Sequence, residues 1–365
     1  MSLWVVVGGQ YGSEGKGKIS AFLTLQEGID ICVRCGGPNS GHSFVAVDGS
    51  TKVLRQLPTG YIRPETRLLI PAGALIDLQV LRNEIEFFRL DASRVGIDRN
   101  AMIIEESDKE NEARLQLRER LSSTLCGVGS AVSRRALRGA DVRLARNAAK
   151  QEPWLERLLT DVSVEANEAL DHGRKVLVEG TQGFGLSLYH SPHYPKATSR
   201  DTTAAGFLSE VGLSPLRVTE IVVVFRTFPI RVAGQQAGEM KDEITWEILQ
   251  QESGYPQPIH EFTTVTKKLR RIGRFDWDLA KQAVMLNKPT RAAVNGFDYL
   301  NYADYGLTDS TTLSRESMDF LSRLEHELSV PIEFRGTGPS LNMLARSSGD
   351  RRSTHQEVRA RYVLA

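Results

Sequence analysis

Cysteine is scarce in this chain: three residues in 365, at positions 32, 35 and 126. So few, and an odd number, exclude a disulfide framework. The pair Cys32-Val33-Arg34-Cys35 has no second pair with which to hold zinc. Its setting in an expected strand predicts two buried or half-buried thiols rather than a redox motif at a helix start. A surplus of charge is missing too, since 46 Lys and Arg face 45 Asp and Glu. That balance argues against nucleic acid or a membrane surface as an electrostatic partner. No apolar run approaches the ~20 residues that span a bilayer, and the first residues lack the charged and apolar regions of a secretory leader. A cytoplasmic protein is the expectation.

Apolar, β-branched runs alternate with stretches of helical periodicity. This pattern predicts an α/β fold with a large, mostly parallel central sheet flanked by helices, organised as one domain over 1–365. Strands are expected at Leu3–Val7, Ile29–Arg34, Arg67–Ile70, Lys175–Glu179, Thr219–Arg226, Arg291–Val294 and Ile332–Phe334. Helices are expected at Lys16–Gln26, Asp77–Arg89, Asp108–Leu121, Trp154–His172, Asp276–Leu286 and Ser314–Leu328. Ser187–Ala205 and Gly234–Met240 read as loops, the first long enough to suggest a function.

The first strand runs into Gly8-Gly9-Gln10-Tyr11-Gly12-Ser13-Glu14-Gly15-Lys16-Gly17-Lys18. A strand that ends in glycines and leads into a helix presents converging backbone N–H groups and a positive helix end to an anion. Lys16 and Lys18 add the cations a triphosphate requires. The spacing is not that of a Walker A loop, and Gly17 stands where a magnesium-binding hydroxyl would be. A second polar turn, Gly36-Gly37-Pro38-Asn39-Ser40-Gly41-His42-Ser43, places a histidine just after another strand. Arginines at 134, 135, 138, 143 and 146 form a basic stretch, either a solvated face or a cluster that reaches an anionic ligand or partner.

Together these segments resemble the adenylosuccinate synthetase family over nearly the whole chain, Val5 to Pro339. Gly12–Lys18 resembles its phosphate loop, Gly36–Ser43 its G-G-x-N-A-G-H-T turn, and Glu179-Gly180-Thr181-Gln182-Gly183 its E-G-A-Q-G. Tyr194–Ala204 is similar to Y-P-x-V-T-S-S-N-T-T-A, Ser123–Gly129 to part of T-T-G-x-G-I-G, and Arg134–Arg138 to R-R-G-L-R. The run from Thr263 to Gly273 is similar to the aspartate-binding loop, and Gly336-Thr337-Gly338-Pro339 to the terminal S-T-G-P. The resemblance implies a P-loop-NTPase-like fold and a ligase that phosphorylates a purine 6-oxygen, then displaces the phosphate with aspartate. It implies catalysis by Ser13, Lys16, His42 and Gln182. Gly12 to Lys18, Gly41, His42, Ser43, Asn295, Asp298, Gly336, Gly338 and Pro339 would bind the triphosphate. Ser13, Asn39, Ser123, Thr124, Arg134, Gln182, Thr198 and Lys268 would bind the purine monophosphate, and Thr264, Val265, Thr266, Lys268 and Arg270 the aspartate. Mg²⁺ on Ser13 and Gly41 is implied, as is a homodimer in which Arg134 reaches the neighbouring site.

Three departures qualify this. Ser13 replaces the family's aspartate, its general base and magnesium ligand. Lys268 replaces an arginine near the ribose, and Gly296 replaces the lysine of the guanine-reading T-K-L-D, here Asn295-Gly296-Phe297-Asp298. A serine is short, neutral and able to accept a hydrogen bond from a purine 2-amino group. The departures resemble one branch, the bacteriophage 2-aminoadenylosuccinate synthetases. They imply dGMP and L-aspartate as substrates and ATP or dATP, rather than GTP, as phosphate donor. An ordinary adenylosuccinate synthetase acting on IMP and a catalytically silent nucleotide-binding paralogue stay open on the sequence alone.

Overall fold

In the computed structural model, residues 2–46, 48–263 and 267–345 are described. Ten strands form the central sheet. In chain order they are β1 (Ser2–Gly8), β2 (Ile31–Arg34), β3 (Arg67–Ile70), β4 (Val95–Asp98), β5 (Leu159–Thr160), β6 (Lys175–Glu179), β7 (Val218–Arg226), β8 (Arg291–Asn295), β9 (Ile332–Gly336) and β10 (Leu344–Ala345). Their order across the sheet is β10-β9-β8-β7-β1-β6-β2-β3-β4-β5. Every neighbouring pair is parallel except β9 with β10.

The unbroken apolar runs follow from burial on both faces. In β1, Leu3, Val5 and Val7 enter one core with the helices Val162–Asp171, Ala204–Val211, Trp277–Asn287 and Arg315–Leu328. Trp4 and Val6 point the other way, toward Lys16–Glu27 and Leu78–Phe87. Each fully buried Val or Leu side chain contributes about 1.5–3 kcal/mol, so the central strands are the stable platform. Cys32 and Cys35 are fully buried within it, as their setting in an expected strand predicts.

Some boundaries differ from those the sequence suggests. The expected helix Trp154–His172 is a short turn at Pro153–Glu156, then β5, then a helix over Val162–Asp171. Asp161 causes the break: its side chain caps the Val164 N–H, and Leu159 and Thr160 pair with Ile97 and Asp98. The expected helix Asp108–Leu121 runs over Glu106–Arg114 and restarts at Leu117–Leu121, interrupted where Gln116 takes φ 53°. The strand expected from Ile29 begins at Ile31. The strand β4 and the helix Ala204–Val211 are additions, and Gln235–Ala237 forms a single helical turn inside an expected loop. No helix among the described residues is long and apolar enough to cross a membrane.

The parallel strands place one kind of residue at one edge. β1, β2, β6, β7, β8 and β9 all end beside the segments singled out by sequence, which is where open α/β sheets bind ligands.

Candidate active site

A cavity of about 1030 Å³ lies over these strand ends. Its floor is the loop after β1. Gly15 there has φ 93°, and a Cβ on it would lie 2.6 Å from Asn295 Nδ2, so only glycine fits. Asn295 in turn donates to the Glu14 carbonyl at 2.8 Å, fastening the loop to the end of β8. Gly15 supplies no side-chain cap to the helix Lys16–Glu27. The first N–H groups of that helix are therefore available to a phosphate.

Glu14 is turned inward. Its carboxylate accepts from the Gln10 and Gly12 amides at 3.1 and 2.8 Å and from Lys16 Nζ at 2.6 Å. It shapes the loop and neutralises one lysine. Lys18 donates to the Gly338 and Met343 carbonyls, both at 2.8 Å. Burial pulls its amine down to about 7, with the Asp298 charge acting in the opposite direction.

His42 is buried beside the loop, where a Cβ on Gly17 would come within 2.7 Å of its own Cβ. Its Nδ1 is hydrogen-bonded to Glu179. Glu179 also accepts from Arg34 at 2.7 Å and from the Thr59 amide and hydroxyl at 2.8 and 2.7 Å. Burial lowers the imidazole to about 4, helped by the Arg34 charge. For Glu179, burial acts upward but is outweighed by His42, Arg34 and Thr59, which hold the carboxyl at about 2. The ring is therefore neutral at neutral pH, with Nδ1–H donating to a carboxylate. Its Nε2 is buried without a protein partner among the described residues. In this tautomer Nε2 is an acceptor, and it becomes a donor to a phosphoryl oxygen once it takes up a proton, which an anionic phosphate beside it would favour.

Ser13 has φ 62° and accepts a hydrogen bond on Oγ from Arg270. Its carbonyl accepts from Arg226 at 3.0 Å. Arg226 grips Glu261 at 2.5 and 3.2 Å, and the Glu261 carbonyl accepts from the Arg270 amide at 2.9 Å. Arg226, Glu261, Arg270 and Ser13 thus form a closed ring that joins two loops distant in sequence.

The cavity is lined by most of the residues expected to bind substrates: Gly12 to Lys18, Asn39, Gly41, His42, Ser43, Ser123, Thr124, Gln182, Lys268, Arg270, Asn295, Asp298, Gly338 and Pro339. Three expected residues do not line it. Gly336 lies beneath Asn295, Thr198 donates its amide to the Leu186 carbonyl, and Arg134 is paired with Asp108 at 2.6 Å. Thr264, Val265 and Thr266 lie outside the described residues. Sequence reasoning missed Glu179, Arg226, Glu261 and Tyr255 as members of the site. Only Glu179 carried a signal, a carboxylate ending the apolar run Lys175–Glu179.

Among the described residues no three His, Cys, Asp or Glu side chains converge as a metal site. The two residues expected to hold Mg²⁺, Ser13 and Gly41, both line the cavity, and the Ser13 hydroxyl accepts from Arg270. With no carboxylate beside them, a Mg²⁺ held there would depend on phosphate oxygens for its charge and most of its octahedron.

The family model described as adenylosuccinate synthetase matches residues 5–151 and 142–305. The chain belongs to the adenylosuccinate synthetase family. It is 39% identical to the adenylosuccinate synthetase of Thermococcus onnurineus over 358 residues, covering 97% of this chain and 100% of that one. It is 40% identical to the Pyrococcus horikoshii enzyme over 354 residues, covering 96% and 98%. Among solved structures it is similar to the succinoaminodeoxyadenylate synthetase of cyanophage S-2L, bound to dGMP and dATP as an energy donor. That match has a TM-score of 0.79 at 27% identity and covers 100% of this chain and 99% of the other. The fold is also that of the fully ligated adenylosuccinate synthetase from Plasmodium falciparum, with a TM-score of 0.81 at 20% identity, covering 95% and 100%. This adenylosuccinate-synthetase-family ligase thus has the α/β architecture expected from its alternating pattern, and its strand-end cavity collects the family motifs.

Proposed function

We propose that this ligase joins L-aspartate to C6 of dGMP, using ATP and giving 2-amino-2′-deoxyadenylosuccinate, ADP and phosphate. The observation that carries the reading is the neutral hydroxyl at position 13. It stands at the mouth of the phosphate loop with Arg270 as partner, while the adjacent carboxylate, Glu14, faces away. A hydroxyl there leaves room beside C2 of a purine and can accept from its 2-amino group. The cyanophage enzyme's dGMP and dATP support the same direction.

In this scheme the purine gives up its N1 proton to solvent by way of the Ser13 hydroxyl as the 6-oxygen attacks the γ-phosphorus and the bond to ADP breaks. The aspartate amine then attacks C6, and the phosphate leaves with that oxygen, taking up the proton the amine loses. The loop amides and Lys16 stabilise charge on the transferred group, and His42 joins them once its Nε2 takes up a proton. Ser13 orients the N1/N2 edge of the base, beside Asn39, Gln182 and Lys268, and Arg270 holds an aspartate carboxylate. Mg²⁺, held by Ser13 and Gly41, would offset phosphate charge. Arg134 would serve the site of a second copy. The curated archaeal relatives favour a second reading, adenylosuccinate synthesis from IMP.

Turnover measured with L-aspartate, ATP and Mg²⁺ against either dGMP or IMP separates the readings. We expect dGMP to be preferred at least tenfold in kcat/KM. Preference for IMP would establish the second reading, and no turnover of either a silent paralogue. Arg270→Lys loses the planar fork that matches a carboxylate. It is expected to raise KM for L-aspartate about tenfold, the loss of one charge-assisted contact, and to leave KM for the triphosphate unchanged. An unchanged aspartate KM would remove Arg270 from that role.

A further inference from the structure

Glu261 and Arg270 form the base of a hairpin. The Arg270 amide donates to the Glu261 carbonyl at 2.9 Å, Phe262 bridges Leu269, and the Thr263 amide donates to the Lys268 carbonyl at 2.9 Å. Arg270 Nε donates to the Phe262 carbonyl at 3.1 Å. All of these bonds lie within the hairpin and set its shape, not its place in the molecule. Apolar packing contributes little to that place, since Phe262 and Leu269 are 56% and 41% exposed.

The two base residues reach outward. The Arg270 carbonyl accepts from Trp246 Nε1 at 2.8 Å. The Glu261 carboxylate accepts from Arg226 at 2.5 and 3.2 Å and from the Tyr299 hydroxyl at 2.8 Å. Arg226 ends β7 and is itself fixed to the phosphate loop. Its backbone N–H and carbonyl pair with the Gln10 side chain, both at 3.0 Å, and its guanidinium holds the Ser13 carbonyl. Burial acts upward on the Glu261 carboxyl, but the charge and hydrogen bonding of Arg226 outweigh it and hold the group below its usual range. The pair is therefore ionised at neutral pH.

We infer that Glu261 is a positioning residue for the reaction: its carboxylate anchors the hairpin to Arg226 and so places the Arg270 guanidinium at Ser13. It acts through Arg270 rather than on a substrate. The sign of its effect separates anchoring from simple electrostatics. A carboxylate beside two arginines repels an incoming dicarboxylate, so charge alone predicts that its removal lowers KM for L-aspartate. Anchoring predicts the opposite, because a hairpin without its anchor must be ordered again when aspartate binds. The inference rests on the proposed role of Arg270 in holding aspartate and is independent of whether dGMP or IMP is the acceptor.

The test is steady-state turnover of the full chain with L-aspartate varied, using whichever acceptor, dGMP or IMP, turns over. Glu261→Gln keeps the shape of the side chain and removes its charge. It should raise KM for L-aspartate about tenfold, the size of one charge-assisted contact. KM for both nucleotides and kcat should stay within about threefold of the parent. Tyr299→Phe keeps the ring and deletes one donor to Glu261; it should raise the aspartate KM about threefold, and it decides the question if Glu261→Gln does not fold. In an Arg270→Met background there is no guanidinium to place, so adding Glu261→Gln should change the aspartate KM by less than about twofold. An aspartate KM unchanged or lowered in Glu261→Gln, or unchanged in Tyr299→Phe, would overturn the assignment. So would an equal rise in KM for all three substrates, or additive effects in the double variant. An unchanged aspartate KM in Arg270→Lys would instead remove Arg270 from the aspartate site; a raised one there with no rise in Glu261→Gln would sink the anchor alone.

Discussion

Replacing His42 by alanine is expected to lower turnover by about 10²–10⁴-fold, the range for a positioned acid–base group, with much smaller changes in KM for either nucleotide. The asymmetry follows from what the side chain touches. Its Nδ1 is hydrogen-bonded to Glu179, and its Nε2 is buried without a protein partner among the described residues. Glu179 keeps Arg34 and both Thr59 donors when the imidazole is removed. The buried carboxylate therefore stays satisfied and the fold survives. Retention of more than a tenth of the parent turnover would place the support of phosphoryl transfer elsewhere.

The same variant tests the electrostatics through stability. Burial and the Arg34 charge lower the His42 pKa from 6.5 to about 4 in the folded chain. Protonation therefore favours the unfolded chain. The contribution of neutral His42 is fully present above about 6.5 and is lost as pH falls toward 4, by at most about 3 kcal/mol at 1.36 kcal/mol per pK unit. Glu179 acts in a lower window: its stabilisation is present above 4.5 and is lost as pH falls through about 2. Thermal unfolding measured from pH 7 to pH 4 should show a decline in the parent that His42→Ala lacks. Parallel curves for the two proteins would contradict a depressed imidazole.

How far the site could be read in the sequence depended on distance along the chain. The phosphate loop was legible because its physics is local: an apolar strand, glycines and a helix start occur within seventeen residues of one another. The long buried strands were legible because Val, Ile and Leu run without alternation when both faces are covered. Leu159–Thr160 was not, since two residues inside a helical-looking stretch carry no period of their own. Pairing with Ile97 and Asp98 alone makes them a strand. His42 could be singled out, but not its pairing with the carboxylate that orients it, 137 positions away. Nor could Arg226 be matched to Glu261, or Tyr255 to Asp298. Each of these joins a strand end to a loop packed on it only by the tertiary fold, and arginine, glutamate and tyrosine are ordinary surface residues until such a partner is known.

Ser13→Asp is expected to shift the dGMP:IMP ratio of kcat/KM toward IMP by about 10²-fold, the scale on which a single polar contact separates related substrates. The backbone presents no obstacle, because aspartate tolerates the left-handed φ of 62° at this position better than most residues. The side chain does. Arg270 reaches the Ser13 hydroxyl, and Arg226 holds the Ser13 carbonyl at 3.0 Å while clamping Glu261. A carboxylate in that ring would bind Arg270 as an ion pair, stronger than its bond to a hydroxyl. It would draw the guanidinium away from an incoming aspartate carboxylate and fill the space beside purine C2. Both effects penalise dGMP; IMP, bare at C2, meets only the first and gains a base for its N1 proton. Ser13→Ala separates the two roles, since it keeps the space and deletes the acceptor. It should weaken dGMP several-fold without helping IMP. If neither variant moves the ratio, the serine is incidental and the purine is chosen by other residues of the cavity.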